Sequence, residues 1–417
     1  MASPTTPARG PAVASELAAR YPRLLLLTPD FPPAHGGIQV LSHRLAAGLG
    51  GFETRVLTLD SVDAARFDAH SGVATRRVRA GVRAAPAQRA APVQRAAPVQ
   101  HLALNAQALL EAVRFAPHVT LNMHIVTSPA AAAIRRLLGS PYVQYFHANE
   151  IGHHPRLTAF AARRAGANVA VSAYTAGLVR GAAGAVATAP MSLIPPGVEL
   201  PDRGDSDGPG APRPTVLTIA RLADSYKGHD VMLDALALVR EWIPDVEWVV
   251  LGDGSLRAPL QARARFLGLA DAVRFLGWVS DEQRDLWLRR ADVFAMPSRL
   301  PENGLAGEGF GIVYLEAAAH GIPVLAGNVA GALDAVVDGE TGVLVDPTDA
   351  RAVADALVAL LGDRARARAL GAAGARRARE FAWPRIAARV EAVLLDQIAR
   401  ASRCRLLARR GRGVNIS

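Results

Sequence analysis

Lysine is almost missing from this sequence: Lys227 is the single lysine of 417 residues, against 46 arginines. A composition that has replaced lysine nearly everywhere would have replaced this one too, unless a compact ammonium does there what a planar guanidinium cannot. Cysteine is as scarce. Cys404 alone excludes an internal disulfide and a thiolate metal cluster, and it fits a reducing cytosol. No apolar run approaches the roughly 20 residues that a membrane span requires. The longest early one, Leu24 to Leu27, reads as a first strand. Residues 1–21 lack the charged start and apolar stretch of a secretory signal and read as a disordered leader. Aromatics, 5% of the chain, are not interleaved with its basic stretches, which argues against single-strand nucleic acid as a partner.

The net charge of +10 is concentrated in two places. Residues 69–110 and 397–417 carry arginines and no acid, which leaves the body of the chain close to neutral. Such segments favour anionic surfaces, phospholipid headgroups among them. Within the first lies a repeat, Arg83-Ala-Ala-Pro-Ala-Gln88, Arg89-Ala-Ala-Pro-Val-Gln94, Arg95-Ala-Ala-Pro-Val-Gln100. A proline every sixth residue forbids a regular helix or a central strand and predicts a flexible or extended insertion over 83–100.

Apolar runs near 23–28, 55–59, 119–122, 142–146 and 168–172, and again near 215–220, 246–251, 273–276, 291–296 and 323–326, alternate with helical stretches. This is the pattern of two parallel α/β sheets. It predicts a first domain over 22–198, a linker over 199–213, a second domain over 214–380, a helix over 381–400 and a basic tail over 401–417. Length agrees, since 417 residues suit two cores better than one.

Arg221 and Lys227 follow the strand ending near Ala220. That is the edge of a parallel sheet where ligands bind, and two cations there suit a phosphate group. Further on, Glu308-Gly309-Phe310-Gly311-Ile312 sets a glycine turn before an apolar helix that carries Glu316. Glycines admit a ligand close to the backbone, and the helix start offers free amides and a positive dipole end.

Together with the loop Asp30-Phe-Pro-Pro-Ala-His-Gly36-Gly37-Ile38 and Gly252-Asp253-Gly254, these motifs resemble family 4 of the retaining, nucleotide-sugar-dependent glycosyltransferases over about residues 23 to 395. Within that family the wording is most similar to actinobacterial mannosyltransferases acting on phosphatidylinositol mannosides. The resemblance implies the GT-B architecture, two Rossmann-like domains facing across a cleft, the last helix crossing back onto the first. It implies that a hexose, for which mannose from GDP-mannose is a candidate, moves from a nucleotide diphosphate to a hydroxyl of a glycan or glycolipid. The resemblance further implies roles for single residues. Arg221 and Lys227, with amides at Phe310 and Gly311, would stabilise the leaving diphosphate. Glu308 would bind sugar hydroxyls, Glu316 the ribose, and His147 would face the sugar. Gly36, Gly37, Gly252 and Ile312 would border the donor. No cofactor and no metal is implied, and peripheral contact with an anionic membrane from the cytoplasmic side is expected. Ser172 reads equally as a helix cap or an acceptor contact, and His153 and His154 read as loop residues. A sugar-nucleotide epimerase and a non-catalytic membrane adaptor are the alternatives. A nicotinamide reductase is disfavoured because no G-x-G-x-x-G follows the first strand.

Overall fold

The structure, a computed structural model, describes residues 21–79, 97–201, 213–301 and 307–412. The leader up to residue 20, most of the hexad repeat, the linker core 202–212 and Asn303 lie outside the described residues.

Seven parallel strands form the first sheet: β1 Arg23–Leu27, β2 Glu53–Leu59, β3 Ala74–Val78, β4 Val119–Asn122, β5 Tyr142–Phe146, β6 Ala167–Ala170 and β7 Met191–Leu193, in the order β3-β2-β1-β4-β5-β6-β7. Helices α1 Gly37–Gly48, α2 Ala64–Ser71, α3 Ala97–Phe115, α4 Ser128–Leu138, α5 Ala148–His153, α6 Pro155–Arg164 and α7 Ala173–Ala183 connect them. The second sheet has six: β8 Thr215–Ile219, β9 Glu247–Leu251, β10 Val273–Gly277, β11 Val293–Met296, β12 Val324–Gly327 and β13 Gly342–Val345, in the order β10-β9-β8-β11-β12-β13. Its helices are α8 His229–Val239, α9 Arg257–Phe266, α10 Asp281–Arg290, α11 Ile312–Ala319, α12 Ala332–Ala335, α13 Ala350–Gly362 and α14 Arg364–Ala378. The last helix, α15, runs Trp383–Arg412.

Both sheets are the doubly wound parallel kind expected from the alternating pattern. The central strands are largely apolar because helices cover both faces: β4, β5, β9 and β11 are buried at every position, with Thr120, Asn122, Gln144 and Glu247 as their polar members. Strand order reverses beside β1 in one sheet and beside β8 in the other, so the loops leaving these two strands open onto the crevice where such sheets bind ligands.

Three strands escape a reading of apolar runs. β3 is a half-exposed edge strand, β7 spans 3 residues, and β13 is short and closes the other sheet. Edge strands are kept short or charged to block pairing with other chains, which erases their signal. The last copy of the repeat also departs from expectation. Residues 97–100 form the first turn of α3, where Pro98 is tolerated because a first-turn amide has no partner to lose. Helix α15 likewise continues through 401–412, read from sequence as a tail. It buries Ile386, Ala387, Val390 and Leu394 and packs on α1, β4 and β5, crossing from the second sheet to the first. Trp383 is a packing residue: a Cβ at Gly197 would lie 2.5 Å from its ring.

Candidate functional site

Arg221 and Lys227 leave the carboxyl end of β8. The Arg221 side chain is about half exposed and pairs with Asp224 Oδ2 at 3.0 Å. A single tight turn, Ser225–Lys227, then turns the lysine inward, and Gly228 in the left-handed region starts α8. Lys227 Nζ lies on Glu308 Oε2, 5.1 Å from the centre of the Tyr226 ring. Burial works against the charge on Lys227, but the attraction of Glu308 outweighs it and holds the ammonium above its ordinary pKa. Burial opposes the Glu308 charge as well. Lys227 and hydrogen bonds from the amides of Phe310 and Gly311 overcome it and keep the carboxyl below its usual range.

The expected parts of a donor site are therefore together, but arranged differently from the expectation. The two amides assigned to a leaving diphosphate are held by Glu308, and Glu308 itself is held by Lys227. Opposite charges brought together out of water pair with each other. Gly311 makes the turn possible: its φ is 85°, and a Cβ there would sit 2.3 Å from the Tyr314 ring. Ile312 is the first residue of α11, and the Phe310 side chain is in the core, 5.9 Å from the Phe381 ring, so only its backbone faces the site. Glu316, one turn on, is paired with Arg284 of α10. Gly252, with φ 133°, allows β9 to leave beside β8, since a Cβ would lie 2.0 Å from Ala220 O. Backbone packing thus accounts for that glycine.

The first domain meets this surface along the loop after β1. At Gly37 a Cβ would stand 3.4 Å from Ile312 Cδ1, and beside Gly36 the His35 ring stacks on Trp278, 5.3 Å between centroids and 20° between planes. The start of α7 docks nearby, Ala173 N donating to Asp334 Oδ1 at 2.9 Å. Ser172 Oγ accepts from Thr175 N at 3.0 Å, so Ser172 is the helix cap. His153 closes α5 and His154 joins it to α6.

His147 ends β5 on the expected edge, and its side chain is buried, with Nε2–H donating to Met123 O at 2.9 Å and the ring stacked on Tyr145. Burial depresses its pKa to about 4. The imidazole supports the wall of the cleft rather than standing open to it. The wall is formed by residues that the sequence reading passed over. Asp30 Oδ1 accepts from Gln39 Nε2 at 3.1 Å, and His124 Nε2 stands 4.0 Å from Asp30 Oδ2. Burial raises Asp30 to about 6, partly countered by Arg221 across the crevice. Glu150 lies behind His124 at 3.2 Å. A strand-end position was the only signal for Asp30 and His124, and Trp278 and Arg284 carried none. Among the described residues no three His, Cys, Asp or Glu side chains are grouped to hold a metal ion.

The profile of the family described as glycosyl transferases group 1 matches residues 206–377, which include the lysine, the glycine turn and both glutamates. The chain is 34% identical over 369 residues, 84% of its length and 92% of the relative's, to the GDP-mannose-dependent alpha-(1-6)-phosphatidylinositol monomannoside mannosyltransferase of Mycobacterium tuberculosis. The protein of the same description from Mycolicibacterium smegmatis is also 34% identical, over 84% of this chain and 92% of its own. Among solved structures, sucrose-phosphate synthase from Thermosynechococcus elongatus superposes with a TM-score of 0.73 at 22% identity, covering 91% of this chain and 99% of that one. Anabaena HepE in complex with UDP and glucose gives 0.73 at 20%, covering 90% and 100%. These two share the GT-B fold of two Rossmann-like domains. The chain belongs to the group 1 glycosyltransferases and is a hexosyltransferase of GT-B fold.

Proposed function

We propose that the enzyme transfers mannose from GDP-mannose to a hydroxyl of a phosphatidylinositol-based glycolipid, with retention at the anomeric carbon. The observation that carries this reading is the identity, across 84% of the chain, to enzymes described as doing so on phosphatidylinositol monomannoside. The site chemistry agrees. In the state described here Lys227, Glu308 and the Phe310 and Gly311 amides satisfy one another. A donor diphosphate arriving at Arg221 would compete for Lys227 and the amides, and would release Glu308 to accept hydroxyls of the sugar. Charge building on the departing diphosphate is met by groups already in place, worth about 3 kcal/mol per donor. On this reading the two cations supply what a divalent metal supplies elsewhere, and the departing phosphate takes the acceptor's proton on the face it leaves. Glu316, held by Arg284, is the ribose partner.

A lipid acceptor asks for contact with a membrane. Among the described residues no helix is long and apolar enough to cross one. Helix α3 instead presents an exposed stripe of Val99, Leu102, Leu110 and Val113, beside Leu137 of α4. Arg114, Arg135 and Arg136 flank it in the exposed part of the same two helices. An apolar stripe rimmed by arginines suits an interface of anionic headgroups.

The test is nucleotide release from GDP-, UDP- and ADP-sugars by wild type and Lys227→Ala, with and without vesicles containing phosphatidylinositol. Release from GDP-mannose alone, lost in Lys227→Ala and increased by the vesicles, is the expected result. Release from a different donor, or equal release by both proteins, would refute the assignment.

A further inference from the structure

Glu150 lies in the first turn of α5 and is almost fully buried. Its carboxyl joins the loops after β4 and β5. Oε1 accepts from His147 N at 3.1 Å, Oε2 accepts from Ile125 N at 3.0 Å, and Oε2 stands 3.2 Å from His124 Nδ1. The amide of Val126 points at that same Nδ1, at 3.2 Å. An N–H aimed at a ring nitrogen requires a lone pair there, so His124 carries its proton on Nε2. A carboxylate beside a bare nitrogen lone pair would be repelled, whereas a carboxylic acid can donate its O–H to it. The contact therefore makes sense with Glu150 neutral. His124 Nε2–H then faces Asp30, and Asp30 faces Arg221 across the crevice.

We propose that Glu150 is a positioning residue that acts as a neutral acid, its O–H fixing the tautomer of His124 and through it the orientation of Asp30 on the acceptor wall. Its protonation follows from its surroundings. Burial raises its pKa to about 8, against the two amides that lower it, and the charge of Asp30 adds to the rise. The other titratable groups facing the array are His147 behind it, His101 of α3 and His154 after α5, and all three oppose a proton on His124. Burial leads these in holding His124 at about 3, so it stays neutral throughout the working range. Above pH 8 Glu150 ionises and the preference of His124 reverses. The proton moves to Nδ1, and Nε2, now a lone pair, turns against Asp30.

This inference uses glycosyl transfer only as a readout. Glu150→Gln preserves shape and can donate an N–H to Nδ1 at any pH, at the cost of the Oε2 acceptor that Ile125 N uses, whereas Glu150→Ala loses both. The expected result is that wild-type kcat/KM for the acceptor falls as pH rises through about 8. At pH 7 Glu150→Gln should keep several-fold more kcat/KM than Glu150→Ala and should lack that fall, and Glu150→Ala should lose tenfold or more while remaining folded. A Glu150→Gln enzyme that falls at the same pH as wild type, or that is as impaired at pH 7 as Glu150→Ala, would overturn the proposal. Should wild type turn over no donor, the functional reading fails, and unfolding midpoints still decide the proposal. Wild type should lose stability between pH 6.5 and 8 while Glu150→Gln does not, and parallel curves would refute a neutral Glu150.

Discussion

Lys227 and Glu308 are 81 residues apart in sequence and form an ion pair at the bottom of the crevice, each nearly buried. The single lysine thus pairs with the acid that opens the glycine turn. An ammonium is a compact point charge, whereas a guanidinium is broader and more directional, and Lys227 sits between Glu308 and the Tyr226 ring.

Lys227→Ala should reduce kcat for nucleotide release about 10² to 10³-fold. The buried Glu308 left unpaired should lower stability by about 1 to 3 kcal/mol. Lys227→Arg should remain well below wild type. Steady-state release with a circular dichroism check distinguishes these outcomes, and full activity in either variant would remove Lys227 from the chemistry.

Glu316 and Arg284 should act mainly on binding. If Glu316 binds the ribose as proposed, Glu316→Gln removes a charged acceptor there and is expected to raise donor KM about tenfold with little change in kcat. A loss confined to kcat would place Glu316 at the reacting centre instead.

The pH dependence of stability has a definite sign. His124, His147 and His229 are held at about 3, 4 and 4 when folded, so they stay neutral while the unfolded chain protonates near 6.5. Their contribution is complete above pH 6.5 and is lost as pH falls. Asp30 and Glu150, at about 6 and 8 when folded, stay protonated where the unfolded chain ionises near 4. Their contribution is lost as pH rises through those values. These three histidines, joined by His43, His101 and His118, which burial also lowers, outweigh the raised carboxyls of Asp30, Glu150 and Asp292 below pH 6, and above 6.5 the held proton of Glu150 dominates the difference between the states. Stability should peak near pH 6 to 6.5 and fall by about 1.4 kcal/mol per unit towards pH 8. Thermal midpoints across pH 5 to 9 test this, and a midpoint still rising at pH 8 contradicts it.

The His35 and Trp278 rings stack from opposite domains at the mouth of the crevice. Breaking the stack by Trp278→Ala should cost about 1 kcal/mol of closure, seen as a several-fold rise in donor KM. Nucleotide-dependent tryptophan fluorescence should shrink in the variant. An unchanged KM would make the contact incidental.

Replacing Leu102 and Leu110 together by glutamine should weaken binding to phosphatidylinositol vesicles at least tenfold, while donor hydrolysis in solution stays at the wild-type rate. Both residues are exposed, so no core is disturbed. Undiminished vesicle sedimentation would move the membrane contact elsewhere.

Much of the molecule follows from local chemistry. The buried strands are legible because a strand covered on both faces is mostly apolar, as in Tyr142–Phe146 and Glu247–Leu251, whose polar members Gln144 and Glu247 are paired with Asn122 and Arg274. The positions of Arg221, Lys227, the glycine turn and the second glutamate at one sheet edge are legible because the strands and turns that place them are written in adjacent residues. By contrast β3 and β7 depend on contacts with distant segments, and Arg405 in the last helix donates to Gly139 O of the first domain. An edge strand is defined by the neighbour it pairs with and needs no apolar run of its own.

The sequence by itself determined two parallel sheets, their order along the chain, and a set of donor-side residues at the ends of strands. Only the tertiary structure decided how those residues engage one another. Lys227 with Glu308, Arg284 with Glu316, and Asp30, His124 and Glu150 in line are pairs or chains brought together from separate strand ends. Whether an ionisable side chain is charged, neutral or available depends on burial and on neighbours within a few ångströms. His147 illustrates it: its place at the end of β5 is fixed locally, but Met123 and Tyr145, packed around it in the fold, bury its ring and set its orientation.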